Sequence, residues 1–163
     1  MYKITDELRI NGFSANSMDY FIQRNNGSRS FSTMDYYCIL IVIQNTAVTI
    51  DGIGCELKRG SLVFIGPSKN MVFCEKASQK GNIYALTFSA SFFEKSAKDS
   101  LVLNSDLFFD KSSQVVVTQA SIPIDEVVKL IINRLNLYKT KQNNGLYISV
   151  AHNCVEALLL DGL

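Results

Sequence analysis

A single histidine, His152, stands in a chain of 163 residues, and that scarcity closes off a whole branch of chemistry. A mononuclear metal enzyme holds its ion with two or three imidazoles and a carboxylate, which leave open positions for substrate. One imidazole, placed late in the chain and far from its strand-rich part, does not supply that set. No metal, no cofactor and no enzymatic activity are expected, and His152 itself is expected to be a packed or surface residue.

Charge of one sign is equally lacking. Sixteen Lys and Arg against fifteen Asp and Glu leave a formal charge of +1, without the basic stripe that phosphate backbones select. This segment is therefore not expected to bind DNA on its own. Paired cysteines are missing too: Cys38, Cys55, Cys74 and Cys154 sit singly among apolar residues, with no CxxC motif and no secretory leader ahead of them. They are expected to be small buried hydrophobes in a reducing cytoplasm. The longest apolar run, Cys38 to Ile43, is far too short to span a bilayer, so membrane readings fall away.

What the chain does have is 47% hydrophobic and 19% charged residues, an ordinary globular balance with enough apolar surface for one core. Strands come first. Tyr20-Phe21-Ile22 and Ser30-Phe31-Ser32 read as short strand-like pieces around a turn at Arg24-Asn25-Asn26-Gly27-Ser28, and Tyr37 to Ile43 is a β-branched and aromatic run. Ala47 to Ile50 leads into Asp51-Gly52, a hairpin signal because a type I′ turn needs two positive φ angles. Cys55-Glu56-Leu57, Ser61 to Ile65, Met71 to Cys74 and Ile83 to Phe88 follow, separated by the breaks Lys58-Arg59-Gly60 and Gly66-Pro67-Ser68 and a polar loop. Strands at this spacing predict an antiparallel barrel or sandwich.

After Ser89 the pattern changes. Ser91 is placed to cap a short helix over about 91–97, with Glu94 at the capping-box position, and Leu107-Phe108-Phe109 and Val115-Val116-Val117 look like a return to strands. From Ile124 the period is helical, with Ile124, Val127, Val128, Ile131, Leu135 and Tyr138 on one face and Asp125 in the first turn. Gln142-Asn143-Asn144-Gly145 closes that helix. A second, from Leu146, puts Tyr147, Val150, Cys154, Ala157 and Leu158 on one stripe. Each helix either covers an open side of the β domain or pairs with a second chain. Lys129, Arg134, Lys139 and Lys141 read as a solvated face. The chain stops at Leu159-Leu160-Asp161-Gly162-Leu163, still apolar, as a piece trimmed from a longer protein would.

From Tyr36 to Leu160 the succession of features resembles the N-terminal domain of the AraC family of transcription regulators. The resemblance is carried by Asp35-Tyr36-Tyr37, Thr49-Ile50-Asp51-Gly52, Leu57 through Pro67, Tyr84 through Ser89 with Ser91-Phe92-Phe93, then Leu107-Phe108-Phe109 and the helix pair. It implies a mainly β fold with C-terminal helices: a cupin-like (double-stranded β-helix, jelly-roll) barrel over residues 1–120, followed by an antiparallel helix pair over 121–163. The function it implies is effector sensing and dimerisation, with DNA reached only through a helix-turn-helix domain that this chain does not contain. His152, Asn153 and Glu156, amid Leu and Ala, do not make the last helix a recognition helix.

Matched onto the family's effector-contacting strands, Ile43, Met71, Phe73, Ile83 and Ala85 face inward. All are apolar, so an effector bound there would be small and fairly apolar, held mainly by burial. Where the family commonly shows histidines at the barrel mouth, this chain has Thr33-Met34 and Asn70-Met71, which weighs against a sugar-like ligand. A barrel filled by its own side chains, leaving a ligand-free dimerisation scaffold, is the alternative; a free-standing small cupin is a third. The expected assembly is a C2 homodimer with Tyr147, Val150, Cys154 and Leu158 at the interface.

Overall fold

A computed structural model of the chain describes residues 8, 12–94, 116–139 and 145–161. Its strands are β1 (Phe13–Ser17), β2 (Ser30–Ser32), β3 (Tyr37–Val42), β4 (Thr46–Ile50), β5 (Ile53–Leu57), β6 (Ser61–Ile65), β7 (Asn70–Phe73), β8 (Ile83–Phe88) and β9 (Val116–Gln119). They form two antiparallel sheets, a five-stranded one in the order β1-β8-β3-β6-β9 and a four-stranded one in the order β2-β7-β4-β5. The mainly β, antiparallel character is as expected, and among these residues no ladder joins the two sheets into a closed barrel. The sheets meet through side chains, as facing layers do.

β3 explains why the strand-rich part needs three layers. Successive residues of a strand point to opposite faces, and here both faces are apolar. Cys38, Leu40 and Val42 join Val48, Ile50, Leu57, Met71, Phe73, Ile83 and Ala85 in the cluster between the sheets. Ile39 and Ile41 belong to a second cluster with Leu62, Phe64, Leu86 and Phe88. Fully burying one such side chain contributes about 1.5–3 kcal/mol, so the outer face of the larger sheet needs a cover. The smaller sheet has a single buried face: along β7, Met71 and Phe73 are buried while Asn70 and Val72 are exposed.

Helices supply that cover. The last two are α3, running through Ile124–Val127, a π-helical stretch Val128–Ile132 and Asn133–Tyr138, and α4, Gly145–Asp161. Ile124, Val127, Ile131, Ile132 and Leu135 from α3 and Tyr147, Ala151, Cys154, Val155, Leu158 and Leu159 from α4 lie in one cluster with the outer face of the larger sheet. The residues on either side of position 120 thus share a core. Lys139, read as solvated, instead donates from Nζ to the Ala15 carbonyl at 3.2 Å and lies 6.0 Å from the Tyr20 ring centroid; its long stem lets the ammonium reach back to the sheet edge. Lys141 lies outside the described residues.

Two local expectations change. Tyr20-Phe21-Ile22 belongs to helix α1 (Met18–Arg24), whose buried Met18, Phe21 and Ile22 follow helical spacing, with Asp19 in the first turn and Arg24 in the last. A short aromatic run imitates a strand when the apolar residue three positions earlier is overlooked. The short helix after β8 is α2 (Ala90–Phe93), and its cap is Ser89, whose Oγ accepts from the Phe92 amide at 3.2 Å; Ser91 is inside it. Leu107-Phe108-Phe109 and the segment past Glu94 lie outside the described residues. The turns read well: Asp51 and Gly52 have φ of 49° and 83°, and the hairpin pairs Ile50 with Ile53.

Candidate functional site

Four of the five residues expected to line a ligand space come together. Met71, Phe73, Ile83 and Ala85 all belong to the cluster between the sheets, and each is no more than 1% exposed. An enclosed space large enough for a water molecule would leave measurable surface on its walls. All four are closed off from solvent. Ile43 goes elsewhere: it lies just beyond β3, half-buried against the helix-side cluster, because its position in the alternation matches Ile39 and Ile41.

The residues expected at a dimer interface are mostly spent inside the chain. Tyr147, Cys154 and Leu158 are buried against the larger sheet and Val150 is half-buried at the margin of the same cluster. Burial raises the Cys154 thiol to about 11, partly opposed by the Arg134 guanidinium, and raises Tyr147 to about 12, with Cys154 adding to it. Tyr84 is also pushed up, mainly by burial. These groups are held neutral under the helices and contribute packing.

A different stripe of α4 faces outward. Leu146, Val150, Asn153, Ala157 and Leu160 are spaced four, three, four and three residues apart, a heptad seam in which all but the half-buried Val150 are exposed. Leu146 is 50% and Leu160 59% exposed, and α3 adds Leu130 at 48% and Leu137 at 69%. The signal was present in the sequence, yet a helix with apolar residues on two faces does not itself tell which one meets the sheet. His152 does not contribute to this seam: its Nε2 sits 2.9 Å from the Phe93 carbonyl and its ring stacks on Phe93, tying α4 to α2. Among the described residues no group of three metal-ligating side chains occurs.

At one end of the smaller sheet, where β4 starts and β5 stops, lies an open cleft of about 570 Å³. The turn after β7, with the 3₁₀ segment Glu75–Ser78, forms its far wall. Cys74 sits in that wall, 3.1 Å from the Thr46 hydroxyl. Burial raises its thiol, but hydrogen bonds from Thr46 and the backbone of Ala47, Lys76 and Ala77 together outweigh that and lower it. Beside the cleft, Arg59 is held on every side. Its amide donates to Asn45 Oδ1 at 2.8 Å, its guanidinium donates to the Ile43 carbonyl at 3.1 Å and to Asp125 at 3.0 Å, and its carbonyl accepts from Gln119 at 3.1 Å.

Facing antiparallel sheets with helices over one outer face define a β-sandwich-type domain with a helical layer. Neither a protein-family model nor a curated protein sequence matches the chain. Among solved structures, that of the AraC-like transcriptional activator CuxR is similar with a TM-score of 0.45 and 13% identity, over 80% of this chain and 47% of that one. The chain thus spans about half of CuxR. The putative glyoxylate induced protein of Pseudomonas aeruginosa is similar with a TM-score of 0.31 and 12% identity, over 56% of this chain and 33% of that one. No helix among the described residues is long and apolar enough to cross a membrane.

Proposed function

We propose that this chain is the dimerisation half of an AraC-type transcription regulator, pairing with a second copy through the outward face of α4. The observation that carries the reading is the heptad-spaced stripe Leu146-Val150-Asn153-Ala157-Leu160, exposed except for the half-buried Val150, on a helix whose opposite face is already anchored to the larger sheet. A seam of this length is marginal alone, so the exposed leucines of α3 are counted as part of the association surface. A polar Asn at the middle of an apolar seam fixes register at some cost in stability. In the parent regulator, DNA contacts belong to a separate helix-turn-helix domain, and the setting is the bacterial cytoplasm. The cupin-like ancestry of the two sheets, as the resemblance implies it, is part of the same proposal.

The near-complete burial of Met71, Phe73, Ile83 and Ala85 supports the reading of a ligand-free scaffold over an effector seated among them. Sedimentation velocity at tens of micromolar tests the pairing: a dimer is expected, and Leu146→Lys with Leu160→Lys should yield a monomer with unchanged circular dichroism. A monomeric wild type, or a doubly substituted chain that still dimerises, overturns it.

A further inference from the structure

The cleft at the end of the smaller sheet presents charge of both signs. Glu56, Glu75, Lys58 and Lys76 all line it, together with the apolar Ala47 and Leu57. All four charged residues are exposed, and exposed charges of opposite sign gain little by pairing across water, which leaves them open to a ligand. Among the described residues no ion pair involves any of the four. The remaining walls offer the hydrogen-bonding groups of Asn45 and Thr46, and the volume of about 570 Å³ is that of a small-molecule site.

We propose that this cleft binds a compact zwitterion, an α-amino acid, with its ammonium toward Glu56 or Glu75 and its carboxylate toward Lys58 or Lys76. The site also has a route to the helices, and this part rests on the dimerisation reading. Asn45 lines the cleft and its carboxamide oxygen accepts from the Arg59 amide at 2.8 Å. The Arg59 guanidinium holds Asp125, in the first turn of α3, at 3.0 Å. A ligand that takes the Asn45 carboxamide for its own ammonium frees the Arg59 amide and shifts the guanidinium that holds α3. Both partners of that ion pair are well exposed, 43% and 85%, so the coupling is weak and changes the dimer equilibrium only a few-fold.

Cys74 is a built-in reporter, being in the cleft wall with a lowered thiol. Alkylation by iodoacetamide, followed by mass spectrometry with Cys55 as the internal reference, is measured with each common L-amino acid in turn at millimolar concentration. At least one should slow Cys74 alone, by about tenfold when present at some ten times its dissociation constant. Its N-acetyl and amide derivatives, each lacking one charge, should protect far less, and Lys58→Met with Lys76→Met, or Glu56→Gln with Glu75→Gln, should abolish protection. The site is overturned if no amino acid protects, if Cys55 is protected equally, if the one-charge derivatives protect as well, or if both double substitutions leave protection intact. For the coupling, amide exchange across 124–128 should change with the protecting amino acid in the wild type and not in Arg59→Ala. Unchanged exchange in the wild type overturns the coupling and leaves the cleft standing. Sedimentation without amino acid reads the dimer separately.

Discussion

Asp51 and Gly52 are bonded into a hairpin that needs positive φ at both positions, and they have it. Gly52→Ala places a side chain at φ 83°; open space around it does not remove the backbone strain, so a loss of about 1 kcal/mol is expected from urea denaturation midpoints. Cysteines divide by environment in a way that spacing does not reveal. Cys38, enclosed between the sheets, is raised to about 12 and Cys154 to about 11, each by burial, whereas Cys74 is lowered. A thiol raised in the folded state stabilises fully below its unfolded value and loses that contribution as pH climbs through the folded one. Stability should therefore fall between pH 9, the ordinary value, and about 11 to 12. Cys154→Ala should flatten the first part of that decline in melts recorded across the range; an unchanged slope would count against the assignment.

Along α4 the alternation of burial within a single turn sets what a substitution does. Leu158 is fully buried while Leu160 is 59% exposed. Leu158→Ala should cost about 2–5 kcal/mol in denaturant unfolding, since it opens a cavity against the sheet, and Leu160→Ala about 0.5 kcal/mol or less when measured on the monomer. Ile132 belongs with Leu158. The π-helical stretch Val128–Ile132 adds a residue to one turn of α3 and lets adjacent Ile131 and Ile132 both reach the core. Regular helical spacing therefore located Ile131 and passed over Ile132, because a change of hydrogen-bond period inside a helix leaves no mark in an apolar run. Strand boundaries were more legible: Ser61–Ile65 and Ile83–Phe88 have the expected ends, each bounded by turn-forming residues. The Tyr20 segment was less so, because three aromatic and β-branched residues satisfy either period.

For the molecule as a unit, the decisive fact is that the larger sheet is covered on both faces, by the smaller sheet and by α3 with α4. In the dimer proposed above, salt should have little effect on pairing because the seam on α4 is mainly apolar. Dimer dissociation constants measured at low and high ionic strength should agree within about threefold, the scatter expected of an association without charge steering. Sequence alone settles most of the strands from Tyr37 to Phe88 and the two last helices, the hairpin at Asp51-Gly52, the lack of an imidazole cluster and the apolar character of the positions between the sheets. These depend on local conformational preference and on side-chain chemistry, both of which each residue carries with it. Tertiary structure decides which stripe of α4 is consumed by the sheet, that Ile43 turns away from Met71 and Phe73, and that Glu56, Lys58, Glu75 and Lys76 meet around one cleft. Those outcomes depend on which surfaces touch across distant parts of the chain, and a one-dimensional pattern with apolar residues on two faces does not determine that.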